Sequence, residues 1–353
     1  MSELFDYKKE MSALRFTDEQ KRTLANAAAN AAKGPARKRR RPVFRTALIA
    51  AVLAMALVVG SSAAGLLPEP IDVFSPIFGG AVAQTEIIDK IGHPIGASDS
   101  DNGITISADA IMGDQYNAVI VYTISRDDGE RILPADKALD SSRLLMGGFS
   151  GASWVKRGGT HGSSWFVDED PEDNKIQLVE TASSNVPMTK GTASAEFEDL
   201  CYWDTETEAP VPLYSGKWKF RFEVNYEDCA VYLGGGETFV QDDVAFVIDS
   251  ISVSPIAVKV DYTADQEAQW SDSGSGRQSE EDSQQARRYL ENIEILLTKT
   301  DGTTIDLSNS GGSIRPEDGK SVCSKGGVLE EIIPMEDMAS ISVGGVVCEI
   351  PKK

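Results

Sequence analysis

The stretch "GKWKFRFEVNYE" (216–227) constrains this chain more than any other. Trp218, Phe220, Phe222, Val224 and Tyr226 alternate with Lys217, Lys219, Arg221, Glu223 and Asn225. Successive side chains of a strand point to opposite faces, so the large apolar groups share one side and the polar groups the other. A helix would scatter both sets around its axis. The stretch therefore predicts a half-buried strand of an antiparallel sheet, whose apolar face needs a second layer to cover it.

Similar signals recur along the chain. "GITISADAI" sets Ile104, Ile106 and Ala108 on one face, and "YNAVIVYTISRDDG" sets Ile120, Tyr122 and Ile124 on one face before a turn at its Asp-Asp-Gly. Short strands are also expected at "KIQLVE", "TASAEFEDL" and "CAVYL". Together they predict a first β-sandwich domain of immunoglobulin-like size over 86–235. A second domain, 236–353, is expected from "ETFVQDDVAFVIDSISVSPIAVKVDY", where Val258, Val260 and Tyr262 alternate with Lys259 and Asp261. It continues through "ENIEILLTKTDGTTIDL", with a hairpin turn at Asp301-Gly302, and "ASISVGGVVCEI", with a turn at Gly344-Gly345. The Ser-, Gln- and Glu-rich stretch 264–288 reads as a mobile loop inside this second domain.

Charge divides the chain. Residues 1–45 hold 12 Lys/Arg against 5 Asp/Glu, and the rest holds 22 against 50. An acidic body of this kind repels nucleic acid, so direct nucleic-acid binding is not expected of it. From Thr46 to Leu67 there are 22 residues without a charge; as a helix they would span about 30 Å, enough for one membrane crossing. Arg37, Lys38, Arg39, Arg40, Arg41 and Arg45 precede the run, and Glu69 and Asp72 follow it. The positive-inside bias places the N-terminus in the cytoplasm and the acidic body outside, with the basic residues against anionic headgroups. A cleaved export signal competes with this reading, since "SSAAG" and "AVAQ" offer small residues of the cleavage type. The long charged segment before the run and its full spanning length favour a retained anchor. Residues 68–85 are expected to be a juxtamembrane linker. Before the basic run, "RFTDEQKRTLANAAANAAK" predicts a helix capped by Thr17 and Gln20. Its apolar stripe is little more than Phe16 and Leu24, candidate contacts for a partner.

The four cysteines, Cys201, Cys229, Cys323 and Cys348, all fall after the uncharged run. That suits an oxidising compartment and makes them disulfide candidates, with the pairing open among three connectivities. Buried free thiols are the alternative. No CxxC occurs, so a zinc site is not expected.

The basic run, the single anchor, "DVFSPIFGG" and then "IGASDSDNGITISADAIMGDQYNAVIVYTISRDDG" resemble the bacterial membrane proteins of domain-of-unknown-function family 4179. The likeness covers residues 5–260, and the C-terminal half resembles the second immunoglobulin-like domain that accompanies that family. "EMSALRFTDEQKRTL" is similar to short cytoplasmic segments of those proteins, often described as anti-sigma factors of the extracytoplasmic-function type. The resemblance implies a regulator that holds a sigma factor inside the cell and senses conditions outside. Residues 1–45 contain neither His nor Cys, so the zinc-binding type of anti-sigma domain is not implied.

Signals for enzyme chemistry are weak. His93, before a proline, and His161, in "GGTHGSSW", read as loop residues rather than catalytic bases. "GGFSG" around Ser150 misses the spacing of a nucleophile elbow by one residue, and "GGGE" near Gly234 reads as a turn. "SDSDNG" (98–103) and "VDEDPEDN" (167–174) offer oxygen ligands but lack the calcium-loop spacing, so solvated turns are expected. No cofactor and no metal is expected. The chain is thus read as mainly β: two extracytoplasmic immunoglobulin-like β-sandwiches after a single transmembrane helix and a short cytoplasmic helix. The expected function is a non-enzymatic membrane sensor or anti-sigma-like regulator. The alternative is a surface protein that binds cell wall or another protein, with Trp154, Trp165, Trp203 and Trp270 as candidate contacts.

Overall fold

The computed structural model describes residues 67–79, 81–134, 139–154, 159–188, 190–271 and 279–352. The expected helix around Phe16 and Leu24, the basic residues Arg37 to Arg45 and the crossing over 46–67, save Leu67, lie outside the described residues. Among the described residues no helix is long and apolar enough to cross a membrane.

The described chain is mainly β. Two helices, α1 (Pro70–Phe78) and α2 (Val82–Ile91), come first. They are followed by β1 (His93–Asp101), β2 (Ile104–Gly113), β3 (Asn117–Arg126), β4 (Leu144–Ser153), β5 (Thr160–His161), β6 (Ser164–Val167), β7 (Lys175–Ser184), β8 (Gly191–Asp204) and β9 (Ala209–Val224). One sheet runs β1-β2-β3-β7-β5, with β6 also on β7; a second runs β4-β8-β9. All these pairs are antiparallel.

The alternating run from Lys217 to Val224 lies in β9. Trp218, Phe220, Phe222 and Val224 are buried, while Lys217, Lys219, Arg221 and Glu223 are exposed. They meet Ile104, Ile106 and Ala108 of β2 and Ile120, Tyr122 and Ile124 of β3, so one core fills the space between the sheets. Trp218 Nε1 donates to the Ile104 carbonyl at 2.9 Å, which satisfies the one polar atom that its burial would strand. Where β1 and β9 meet, the two sheets are joined by side chains: Asp99 accepts from Lys219 N at 2.8 Å and Asp101 from Lys217 N at 2.9 Å. These carboxylates of "SDSDNG" cover edge amides that would otherwise invite a further strand.

The second half contains β10 (Val231–Gly234), β11 (Thr238–Gln241), β12 (Val244–Ser254), β13 (Ala257–Ala264), α3 (Glu280–Ala286), β14 (Ile295–Lys299), β15 (Thr304–Asp306), β16 (Gly312–Glu317), β17 (Lys320–Val328), β18 (Met338–Val343) and β19 (Val346–Glu349). One sheet runs β10-β12-β13-β17-β16, with β11 on β12, and the other β15-β14-β18-β19. Phe246, Ile251, Val260 and Tyr262 of the first share a core with Ile295, Leu297, Ile341 and Val343 of the second. The Asp301-Gly302 turn joins β14 to β15, with Gly302 at φ +87°. Gly344 and Gly345, at φ +55° and +83°, join β18 to β19; both sit where a tight hairpin demands positive φ.

Three expectations need correction. The stretch 68–85 is no linker, because α1 and α2 occupy most of it and α2 runs on past 86 into the expected first domain. Strand β10 pairs with β12, so the change from one layered unit to the next falls between Val224 and Val231 rather than at 235/236. Of the expected mobile loop 264–288, residues 264–271 and 279–288 are described, and they are tied into the second unit. Ala268 is buried in the second core and its N–H donates to Ser321 Oγ at 2.8 Å. Ser279 caps α3 by accepting from Asp282 N at 3.0 Å. Past α3 the chain makes one wide helical turn, Arg287–Glu291, whose Tyr289 enters the core. The ammonium of buried Lys325 ends it, donating to the carbonyls of Leu290, Glu291 and Ile293 at 2.6, 3.3 and 2.7 Å. Burial pushes this ammonium down to about 8.

Strand β2 bulges at Asp109, between Ala108 and Ala110. The carboxyl accepts from Thr123 Oγ1 at 2.6 Å and Ser107 Oγ at 2.9 Å. Burial still raises its pKa from 3.8 to about 6. Because the folded value lies above the unfolded one, the stability tied to this proton is complete below the unfolded pKa and is lost as pH rises through about 6. Asp109→Asn, a permanent mimic of the neutral acid, should gain on the wild type by on the order of 1–3 kcal/mol between about pH 4 and pH 7. Urea unfolding at the two pH values checks this; a difference independent of pH contradicts it.

Candidate functional site

The feature that organises the described chain is the junction where the helical pair and both layered units meet. A sheet of half-buried strands needs only one apolar face, yet Ala110, Met112, Val119, Val121 and Val179 on the outer face of the first sheet are also buried. Val73, Phe74 and Phe78 of α1 and Ile88 and Ile91 of α2 cover them. Ile256, Ala257 and Ile332 from the second unit complete the same cluster. The pair is thus a collar that contacts both units. Gln84 reinforces it: its Oε1 accepts from Ala81 N at 3.1 Å at the start of α2, and its Nε2 donates to the Ile332 carbonyl at 3.2 Å.

A buried carboxylate lies beside the collar. Asp114, in the turn between β2 and β3, accepts from Tyr116 N and Asn117 N at 2.8 Å each and from Asn117 Nδ2 at 3.0 Å. Its other oxygen takes the Ser254 hydroxyl, from the end of β12, at 2.6 Å. Asn117 Oδ1 in turn accepts from Ser183 Oγ at 2.8 Å. Burial raises the Asp114 carboxyl and the donors around it oppose that rise, most of all Ser254. A ring of aromatic and charged groups surrounds this centre. Lys259, buried and paired with Asp261, stands 4.3 Å from the Tyr116 ring centre. Tyr232 donates to Asp228 at 2.6 Å and meets Tyr116 edge to face. The Tyr226 ring lies so close to Gly113 that a Cβ there would sit 2.7 Å from it, so this position needs glycine. His161 Nε2 lies 3.3 Å from the Gly326 carbonyl, and Asn185 Nδ2 donates to Ser313 Oγ at 2.7 Å, two more bonds between the units.

The disulfide candidates do not pair: Cys201, Cys229, Cys323 and Cys348 are free thiols. The thiols of Cys201, Cys229 and Cys323 instead point at backbone carbonyls, of Asp199, Gly113 and Ser321, at 4.0, 3.9 and 3.8 Å. Burial raises all four, Cys229 and Cys323 to about 12, which disfavours the reactive thiolate.

Other singled-out residues sit apart from the junction. Ser150 donates to the Gly147 carbonyl at 2.7 Å and accepts from Glu198 N at 3.2 Å, a clip between β4 and β8. His93 opens β1, and burial lowers its pKa. Asp170 and Asp173 accept from the backbone of Glu172 and Lys175 at 3.1 and 2.9 Å, closing a turn. No cluster of metal-ligating side chains occurs among the described residues. Trp154 packs on the first core, whereas Trp165, Trp203 and Trp270 are partly exposed on three separate elements.

Sequence reasoning missed Asp114. Its signal was "GDQYN", an Asp with an Asn three residues on, the pattern of a side-chain-closed turn, and "SVSP", where Ser254 precedes Pro255.

No family model matches the chain, and no curated protein matches it. The resemblance to domain-of-unknown-function family 4179 therefore rests on its quoted residues alone. A solved structure described as the conserved domain protein from Bacillus anthracis is similar over 78% of this chain and 84% of its own, at 14% identity and a TM-score of 0.49. That likeness is too distant to carry an argument about fold or function.

Ser254→Ala removes one donor from a buried carboxylate and should cost about 1.5–3 kcal/mol in urea unfolding. Phe74→Ala, at a fully buried collar position, should cost about 3–5 kcal/mol. A loss under about 0.5 kcal/mol for either, the range of ordinary surface substitutions, would make that contact incidental.

Proposed function

We propose that this protein is a single-pass, N-in envelope protein whose two outer domains, taken as immunoglobulin-like β-sandwiches, form the sensing part of a non-enzymatic, anti-sigma-like regulator. One observation carries this reading. Leu67, the last residue of the uncharged run, packs on β1, where a Cβ on Gly96 would lie 2.2 Å from its Cδ2, and α1 begins at Pro70. A crossing that ends at Leu67 would adjoin the collar with almost no slack. A helix that shifts in a membrane would pull on the collar, and the collar contacts both outer units. On this reading, Phe16 and Leu24 of the cytoplasmic segment 1–45 would meet the sigma factor.

Full-length protein, extracted in mild detergent from bacterial cells, should bring down one sigma factor, and the Phe16→Ala, Leu24→Ala double variant should not. Recovery of no sigma factor by the wild type contradicts the regulator reading. The alternative of a cell-wall-binding or adhesive protein draws support from the partly exposed Trp165, Trp203 and Trp270. Sedimentation of the protein with purified peptidoglycan would favour it.

A further inference from the structure

The first layered unit is closed on one side and open on the other. On the β1–β9 side, Asp99 and Asp101 seal the gap between the sheets. On the opposite side, between β4 and the β5–β7 edge, a cavity of about 350 Å³ remains. Its wall carries Glu180, on the same face of β7 as Ile176 and Leu178 and therefore directed inward rather than to solvent.

The carboxylate is held in place from both sheets. Tyr122 donates to Oε2 at 2.7 Å from β3, and the Ala152 N–H of β4 donates to Oε1 at 2.9 Å. Tyr122 is fully buried and meets Phe197 edge to face, with ring centres 5.0 Å apart, so its hydroxyl cannot swing away. Strand β4 reaches the carboxylate because residue 151 is glycine at φ +138°; a Cβ there would stand 2.6 Å from Glu180 Oε1. No lysine or arginine is among the described residues that line the cavity. Burial accordingly raises the Glu180 carboxyl. Both donors are neutral, so among the described residues this partly buried carboxylate has no cation beside it. The remaining wall includes the apolar Met146, Leu178 and Phe197.

We propose that this cavity binds a small organic ammonium, a primary amine on an aliphatic stem of about four carbons, with the ammonium on Glu180 and the stem against Met146, Leu178 and Phe197. A cation pairs with this carboxylate, whose oxygens keep lone pairs free for its N–H groups. His161, also in the wall, lies 3.3 Å from the Gly326 carbonyl of the second unit, so the cavity borders the junction. This site goes beyond the tethered-regulator reading and does not depend on it.

The test is calorimetric titration of full-length protein with n-butylammonium chloride, n-butanol and sodium butyrate, at about 0.15 M salt to screen the general acidity of the surface. Butylammonium should bind saturably in the millimolar range, about tenfold tighter than butanol, and butyrate should not bind. Binding should weaken as pH falls through the Glu180 titration, because a proton then competes with the amine. Glu180→Gln, which keeps an acceptor for Tyr122, should lose the preference for ammonium over alcohol. The comparison of the three probes on wild type decides the matter even if that variant folds poorly. Equal binding of amine and alcohol, or no saturation by butylammonium up to about 100 mM, would overturn the proposal and leave Glu180 as a strut between the sheets.

Discussion

The buried carboxylate of Asp114 is the interaction on which the rest of the described structure depends. It is nearly inaccessible to solvent, and its hydrogen bonds come from its own turn and from Ser254 of the other unit. An ionised group in such a place is costly unless every donor is set, and a set of donors spread over two units fixes their relation to one another. The collar acts at the same place by different means. Phe74 and Ile88 are fully buried against a sheet face that would otherwise be wet, and Ile256 and Ile332 of the second unit share that cluster. Polar direction and apolar area thus agree on one arrangement, the condition for a single well-defined state.

This arrangement gives the sensor reading its physical content. A flexible linker after the uncharged run would leave the two layered units free of whatever that run is anchored in. Here Leu67 is seated on Gly96, and α1 and α2 follow at once. The ligand cavity lies in the first unit, and His161 joins its wall to Gly326 in the second.

Much of the fold was legible where one face of a strand is wet. The alternation in β9 named its buried and exposed residues one by one, and Asp301-Gly302 and Gly344-Gly345 marked hairpins because few other dipeptides accept positive φ. The reading failed where burial is two-sided or local order is made by long-range bonds. The burial of Val119 and Val121, on the face of β3 opposite Ile120 and Tyr122, is not legible in "YNAVIVYTIS", because helices well upstream in sequence cover them. "DVFSPIFGG" carries an internal proline and a short apolar stripe, and tertiary packing overrides its weak helix signal. Within the acidic, Ser-rich stretch 264–288, Ala268 is held by Ser321, which is distant in sequence. Glu180 could have been found: in "KIQLVE" it falls in phase with Ile176 and Leu178, a carboxylate on an apolar face.

Native-state hydrogen exchange on the full-length protein tests the central claim most directly, because it reports the opening free energy of each unit separately. If the collar and the Asp114 clasp bind the two units into one, the most protected amides of β2 and β3 and those of β12 and β13 open with the same free energy and the same urea dependence. Two distinct opening free energies, with the second unit exchanging while the first stays closed, would contradict the account.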